Sequence, residues 1–273
     1  MEQLILRAQD GALATIMHHG AHVCSWVPAG GKEQLFVSKT SEFREGAAIR
    51  GGVPVVFPQF ASLGSLPKHG FARTATWRLL HSGHTGDGAA QAVFELRESI
   101  ATLALWPFVF RAELTVTVSG QRLDIALKVD NTGDTAFSFT SALHTYFAVD
   151  DIAQTSVQGL SGLHYRDSAT GADNCTETSA ELQIQGEVDR IYADAPALQM
   201  RQPNQTMHIS ATDFRDAVVW NPGAVKGAAL ADLEPEGYRR MLCVEAAAIM
   251  QPVQLAPGGS WSAGQHLRLE MSA

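Results

Sequence analysis

The chain has 273 residues, 45% hydrophobic and 18% charged, a composition that can bury a large core and does not fit a disordered chain. A formal net charge of −8 and a pI near 5.6 argue against nucleic acid or an anionic membrane as the main partner. Any anionic ligand would therefore be held by a local cluster of cations. Cys24, Cys175 and Cys243 are odd in number, far apart and outside any CxxC pattern, so neither a disulfide framework nor a zinc site is expected.

Met1 is followed by EQLILRAQDG, which lacks the apolar run of a signal peptide, and no run of eighteen apolar residues occurs. A reducing cytoplasm is the expected address, with no membrane contact. The first motif is MHHGAH, with His18, His19 and His22 close together. Two of the three would face opposite sides of a strand and no Cys or carboxylate completes a ligand set. They are expected at the surface or in a turn, with no metal bound. SEFREGAAIR (41–50) predicts a helical turn or two.

Next comes IRGGVPVVFPQFASLGSLPKHGFARTATW (49–77), where Arg50, His69 and Arg73 lie among glycines, prolines and phenylalanines without a helical period. TATWRLLHSG (74–83) and QAVFELRES (91–99) read as strands. LTVTVSGQRLDIALKVDNTGD (114–134) alternates as a hairpin turning at Ser-Gly-Gln. AFSFTSALHTYFAV (136–149) follows in the same style, then strands at 207–212, 216–222, 240–247 and 265–272. AALADLEPEGY (228–238) predicts one short helix. Strands never alternate with long amphipathic helices, so a parallel α/β sheet is not expected. The fold class is all-β: a single antiparallel sandwich domain over residues 1–273.

Glu245 lies in the apolar strand MLCVEAA, where alternation puts Met241, Cys243 and Glu245 on one face. A carboxylate on a buried face costs several kcal/mol unless paired, hydrogen-bonded or open to a pocket. Alternatively, Glu245 points outward on an edge strand or pairs with Arg239 or Arg240. His144, inside SALHTYF, is either a hydrogen-bonded core residue or, beside a carboxylate, an acid or base near neutral pH. Asp189 and Arg190 sit between apolar positions in EVDRIY. Arg50 is followed by Gly51 and Gly52, which permit close backbone approach, and its planar fork suits phosphate oxygens. It could also simply pair with Glu42 or Glu45.

In combination IRGGVPVVFP, LPKHGFAR, LHTYF, VDRIY and LCVEA closely resemble the glucose-6-phosphate 1-epimerases, or D-hexose-6-phosphate mutarotases, of the aldose 1-epimerase group. The resemblance covers nearly the whole chain. It implies a β-supersandwich of the galactose-mutarotase type that interconverts the α and β anomers of a hexose 6-phosphate without metal or organic cofactor. It further implies Glu245 as general base at the anomeric hydroxyl and His144 as general acid at the ring oxygen. His69 is then the second active-site histidine, Asp189 a ligand of sugar hydroxyls, and Arg50 and Arg73 the phosphate-binding pair. Two positions depart from the family's usual pattern: Lys68 stands where Gln is common, and Gln59 gives FPQF in place of FPWF. Lys68 adds a third cation and Gln59 could alter a pocket wall.

The implied partner is a small sugar phosphate and the implied state a monomer. The nearest rival is a mutarotase of unphosphorylated aldoses, against which two desolvated guanidinium groups speak. Others are a carbohydrate-binding sandwich without activity and a purely structural β-domain.

Overall fold

Alternating apolar and polar side chains build three antiparallel sheets in the computed structural model, which describes residues 1–272. A small sheet holds strands Gln3–Arg7, Leu13–Met17 and His22–Val27. An eight-stranded and a nine-stranded sheet make the body. The hairpin Phe110–Ser119/Arg122–Asn131 lies in the larger one, and its burial alternates residue by residue as the sequence predicts. Leu114, Val116, Leu123 and Leu127 from this sheet share one core with Phe139, Val219, Leu242 and Val244 from the eight-stranded sheet. The two large sheets therefore pack face to face, the antiparallel sandwich expected above.

The eight-stranded sheet is unusual in being buried on its outer face too. Its long strand Met241–Leu255 alternates Leu242, Val244 and Ala246 into the main core with Met241, Cys243, Ala247 and Ile249 into two small outer clusters. Glu245 falls on that outer face, as the sequence pattern places it.

Several local expectations shift. The short helix forms at Gly223–Ala229, overlapping the predicted span only at residues 228 and 229, and residues 237–240 make a 3-10 turn. Asn221 Oδ1 accepts the Gly223 N–H at 2.8 Å where the helix begins. Pro235, which lacks an N–H, and Glu236 at φ +59° prevent a helix downstream. Residues 41–50 form bends without a helix. The strand predicted over 136–149 divides into Phe137–Leu143 and Tyr146–Ala148. His19 and His22, expected at the surface, are buried because each ring donates to a backbone carbonyl of the segment 47–51. No helix among the described residues is long and apolar enough to cross a membrane.

Candidate active site

The break between the two strands at His144–Thr145 creates the site. Leu143 pairs with Ala246 and Tyr146 with Cys243, so His144 is carried past Glu245 on the outer face. Below the break, Thr145 Oγ1 bonds the buried Gln265 side chain, whose Nε2 donates to the Val244 carbonyl at 3.0 Å. The His144 N–H donates to Pro54 O at 3.0 Å, and its ring stacks on Tyr146 at 4.8 Å and 9°. His144 Nδ1 then lies 3.3 Å from Glu245 Oε1. Glu245 is 2% exposed and sits on a central strand between partners on both sides. Arg239, one of its alternative partners, pairs with Glu236 instead.

Arg50, Lys68, His69, His144, Asp189 and Glu245 line one cleft, so six of the eight residues singled out in the sequence converge from distant segments. Arg73 lies just behind, donating Nη2 to the Lys68 carbonyl at 2.8 Å. Gln59 is elsewhere engaged: its amide donates to Ala61 O and Leu66 O, and it accepts from the Leu66 N–H, tying together the loop that ends at His69. Trp220, Lys226 and Ser168, which the sequence reading passed over, complete the walls. Trp220 faces Asp189 across the strand pair, and Lys226 projects from the early helix to Glu187 at 2.6 Å and Asp189 at 3.9 Å.

The cations differ in how they are held. Arg50 pairs with Asp232 at 3.0 Å and donates to the Tyr146 hydroxyl at 2.9 Å, not to Glu42 or Glu45. Burial opposes its charge, but Tyr146 and Asp232 more than compensate and raise its pKa. Arg73 has no carboxylate partner among the described residues, and burial lowers its pKa. Burial, followed by the charges of Arg50, Arg73 and Lys226, lowers that of Lys68. The cleft rim is therefore a local positive well on an acidic protein.

Burial moves the two acid–base candidates in opposite directions. The Glu245 carboxyl is pushed well above the usual carboxylate range by desolvation and by the Asp189 charge. His144 is pushed well below 6.5 by desolvation, then by His69, Arg50 and Arg73. These directions favour the proton on Glu245 over His144, and at 3.3 Å the two groups titrate as a coupled pair. His69 is pushed down to about 3 by burial and by Arg73, Lys68 and Arg50. Its Nδ1 accepts the Ala61 N–H at 3.3 Å, which leaves Nε2–H as a neutral donor. Its backbone sits at φ +66°, a left-handed conformation that aims the ring into the cleft beside His144, 5.4 Å between centroids.

A larger cavity of about 580 Å³ lies near Glu45, Arg78, Glu95 and Arg97. There Glu95 is already neutralised by Arg78, Arg97 and Arg111, and no imidazole lines it. A buried carboxyl–imidazole pair beside Lys68 and Arg73, neither of which has a carboxylate partner among the described residues, marks the smaller cleft as the site of chemistry.

A sequence profile described as aldose 1-epimerase matches residues 2–268. A protein of Cenchrus ciliaris, provisionally named glucose-6-phosphate 1-epimerase, is 35% identical over 271 residues, covering 96% of this chain and 82% of its own. One of Escherichia coli with the same provisional name is 36% identical over 239 residues, covering 86% and 79%. The crystal structure of a provisionally named mutarotase from Salmonella typhimurium superposes with a TM-score of 0.91 at 29% identity, over 99% of this chain and 90% of that one. With this match from end to end and a carboxyl–imidazole pair in a cleft of the same fold, the chain belongs to the aldose 1-epimerase family, isomerases that act on small sugars.

Proposed function

We propose that the protein interconverts the α and β anomers of a hexose 6-phosphate, glucose 6-phosphate foremost. The observation that carries this reading is the 3.3 Å contact of His144 with Glu245 in a cleft rimmed by Arg50, Lys68 and Lys226, with Arg73 behind. The provisional names of the relatives point to the same substrate.

Mutarotation requires a proton removed at O1 and one delivered at O5, so that the C1–O5 bond opens. Rotation about C1–C2 and the reverse steps then close the ring on the other face. Glu245 as carboxylate takes the O1 proton and His144 gives one to O5, without a covalent intermediate. That division needs the shared proton on His144 at the moment of reaction. His69, held as a neutral Nε2–H donor, points a hydrogen bond at the ring-oxygen region. Asp189, whose pKa burial raises against the pull of Lys226, accepts from sugar hydroxyls. Arg50, Arg73 and Lys68 take the phosphate, for which guanidinium forks are suited.

These groups span residues 50 to 245, which supports one domain. Three free cysteines fit a reducing cytoplasm. The test is anomer exchange followed by NMR with glucose 6-phosphate and with free glucose. Acceleration for the phosphorylated sugar is the expected result; none for either would overturn the reading, and equal kcat/KM for both would transfer it to unphosphorylated aldoses.

A further inference from the structure

The histidine-rich MHHGAH segment has no part in the acid–base chemistry, yet it is hydrogen-bonded to the loops that carry both proposed phosphate arginines. His19 and His22 are 3% and 0% exposed. His19 Nε2 donates to Ala47 O at 2.6 Å, and His22 Nε2 donates to Gly51 O at 2.7 Å. These two carbonyls bracket Arg50. The packing there is tight: a Cβ on Gly52 would stand 2.7 Å from His22 Nε2 and 2.3 Å from Val23 O. The double glycine after Arg50 therefore admits protein backbone and the His22 ring.

On its other side the same segment holds the turn that carries Arg73. The Gly20 N–H donates to Ala75 O at 2.7 Å, and His18 O accepts the Trp77 N–H at 2.8 Å. A Cβ on Gly20 would come within 2.6 Å of the Arg73 carbonyl. Residues 18–22 thus form one brace with a hydrogen-bonded arm to each arginine loop. Both rings have an unpartnered buried Nδ1, so each is engaged through Nε2 alone.

We infer that His19 and His22 are positioning residues for phosphate recognition, setting the separation at which Arg50 and Arg73 meet the anion. This rests on the reading above that these arginines hold the phosphate. A histidine that merely filled the core would be replaceable by an apolar residue of similar volume without effect on substrate affinity. One that braces the Arg50 loop acts through that arginine.

The test is steady-state anomer exchange on glucose 6-phosphate for His22→Leu, His22→Gln, His19→Ala and Arg50→Ala, with His22→Leu also made on the Arg50→Ala background. Loss of one neutral hydrogen bond raises KM about 3- to 10-fold in His22→Leu and in His19→Ala, with kcat within about twofold, while the donor-retaining His22→Gln recovers most of the loss. On the Arg50→Ala background the His22→Leu effect on KM vanishes. Unchanged KM in the folded single variants overturns the inference, as does a parallel fall in kcat or an undiminished effect without Arg50. Should His22→Leu not fold, His19→Ala decides by the same KM and kcat criteria. Arg50→Ala separates the two claims: if its KM matches the parent's, the phosphate reading falls and the brace with it; if it rises while the histidine variants do nothing, only the brace falls.

Discussion

Glu245→Gln removes the proposed base and a buried titrating carboxyl while keeping shape, so it makes two opposite predictions. General base catalysis contributes about 10²- to 10⁴-fold, so kcat falls by that factor, or about 2.7–5.4 kcal/mol of barrier at 1.36 kcal/mol per decade, with KM little changed. Stability moves the other way. Desolvation on the outer face of the sheet raises the Glu245 pKa in the folded state. The folded chain therefore binds a proton that the unfolded chain releases above its ordinary carboxylate pKa. That stabilisation is complete at low pH and is lost as pH rises toward the raised value. Glutamine is neutral throughout, so its advantage over Glu245 grows with pH, at about 2–4 °C in Tm per kcal/mol recovered. NMR exchange spectroscopy corrected for spontaneous mutarotation reads the first effect, and thermal melts at pH 5 and pH 8 read the second. A variant turning over at the parent rate, or a Tm difference that does not widen from pH 5 to pH 8, would refute the reasoning.

Arg50→Ala deletes a cation and leaves Asp232 facing the phosphate unpaired, so KM for glucose 6-phosphate rises about 10- to 150-fold, as for loss of a charged hydrogen bond. Adding Asp232→Asn recovers part of this; steady-state kinetics showing no recovery would place Asp232 away from the anion. In kcat/KM against pH, which reports the free enzyme, a second proton on the His144–Glu245 pair removes the base, and loss of its one proton removes the acid. The lowered His144 and raised Glu245 put these limbs far apart, so once the substrate phosphate's own ionisation at about pH 6 is divided out a broad plateau spans neutrality, and a remaining limb centred near pH 6.5 would contradict it. Gly52→Ala forces a side chain to φ +59° against Val23 O, destabilising by about 1–3 kcal/mol or more in chemical denaturation.

The sandwich was legible because its strands alternate: the 114–134 hairpin and the 241–249 face read correctly from period two alone. The polar members of apolar strands, His144 and Glu245, stood out against that pattern. What stayed hidden depends on distant partners. The break at His144–Thr145 looks like continuous strand locally, because Leu143, His144, Thr145 and Tyr146 are all buried; it is held by Gln265, 120 residues away. His19 and His22 looked like turn residues because the carbonyls that bury them lie 28 and 29 positions along the chain. Trp220, Lys226 and Asp232 carried no signal at all. A tryptophan in a strand, a lysine in a short helix and an aspartate in a loop are ordinary until the fold brings the first two to the cleft and the third to Arg50.

The positive rim has a consequence for rate as well as affinity. After burial and His69, the charges of Arg50 and Arg73 are what hold the proton off His144. A sugar phosphate brings roughly −1.5 to −2 at neutral pH, which offsets guanidinium charge at the rim. Once it is seated, their hold on the imidazole weakens and protonating His144 costs less, with burial and His69 still opposing it. The shift is toward the carboxylate–imidazolium state that ring opening needs. Phosphate then acts on the acid–base pair, beyond serving as a handle. A handle used equally in ground and transition states lowers KM and leaves kcat alone. Saturating glucose should accordingly turn over with lower kcat than saturating glucose 6-phosphate, by about tenfold for each 1.36 kcal/mol of field removed. Inorganic phosphite added to free glucose supplies the dianion without the tether and should raise the glucose rate. Equal kcat for both sugars, with no response to phosphite, would confine the arginines to binding.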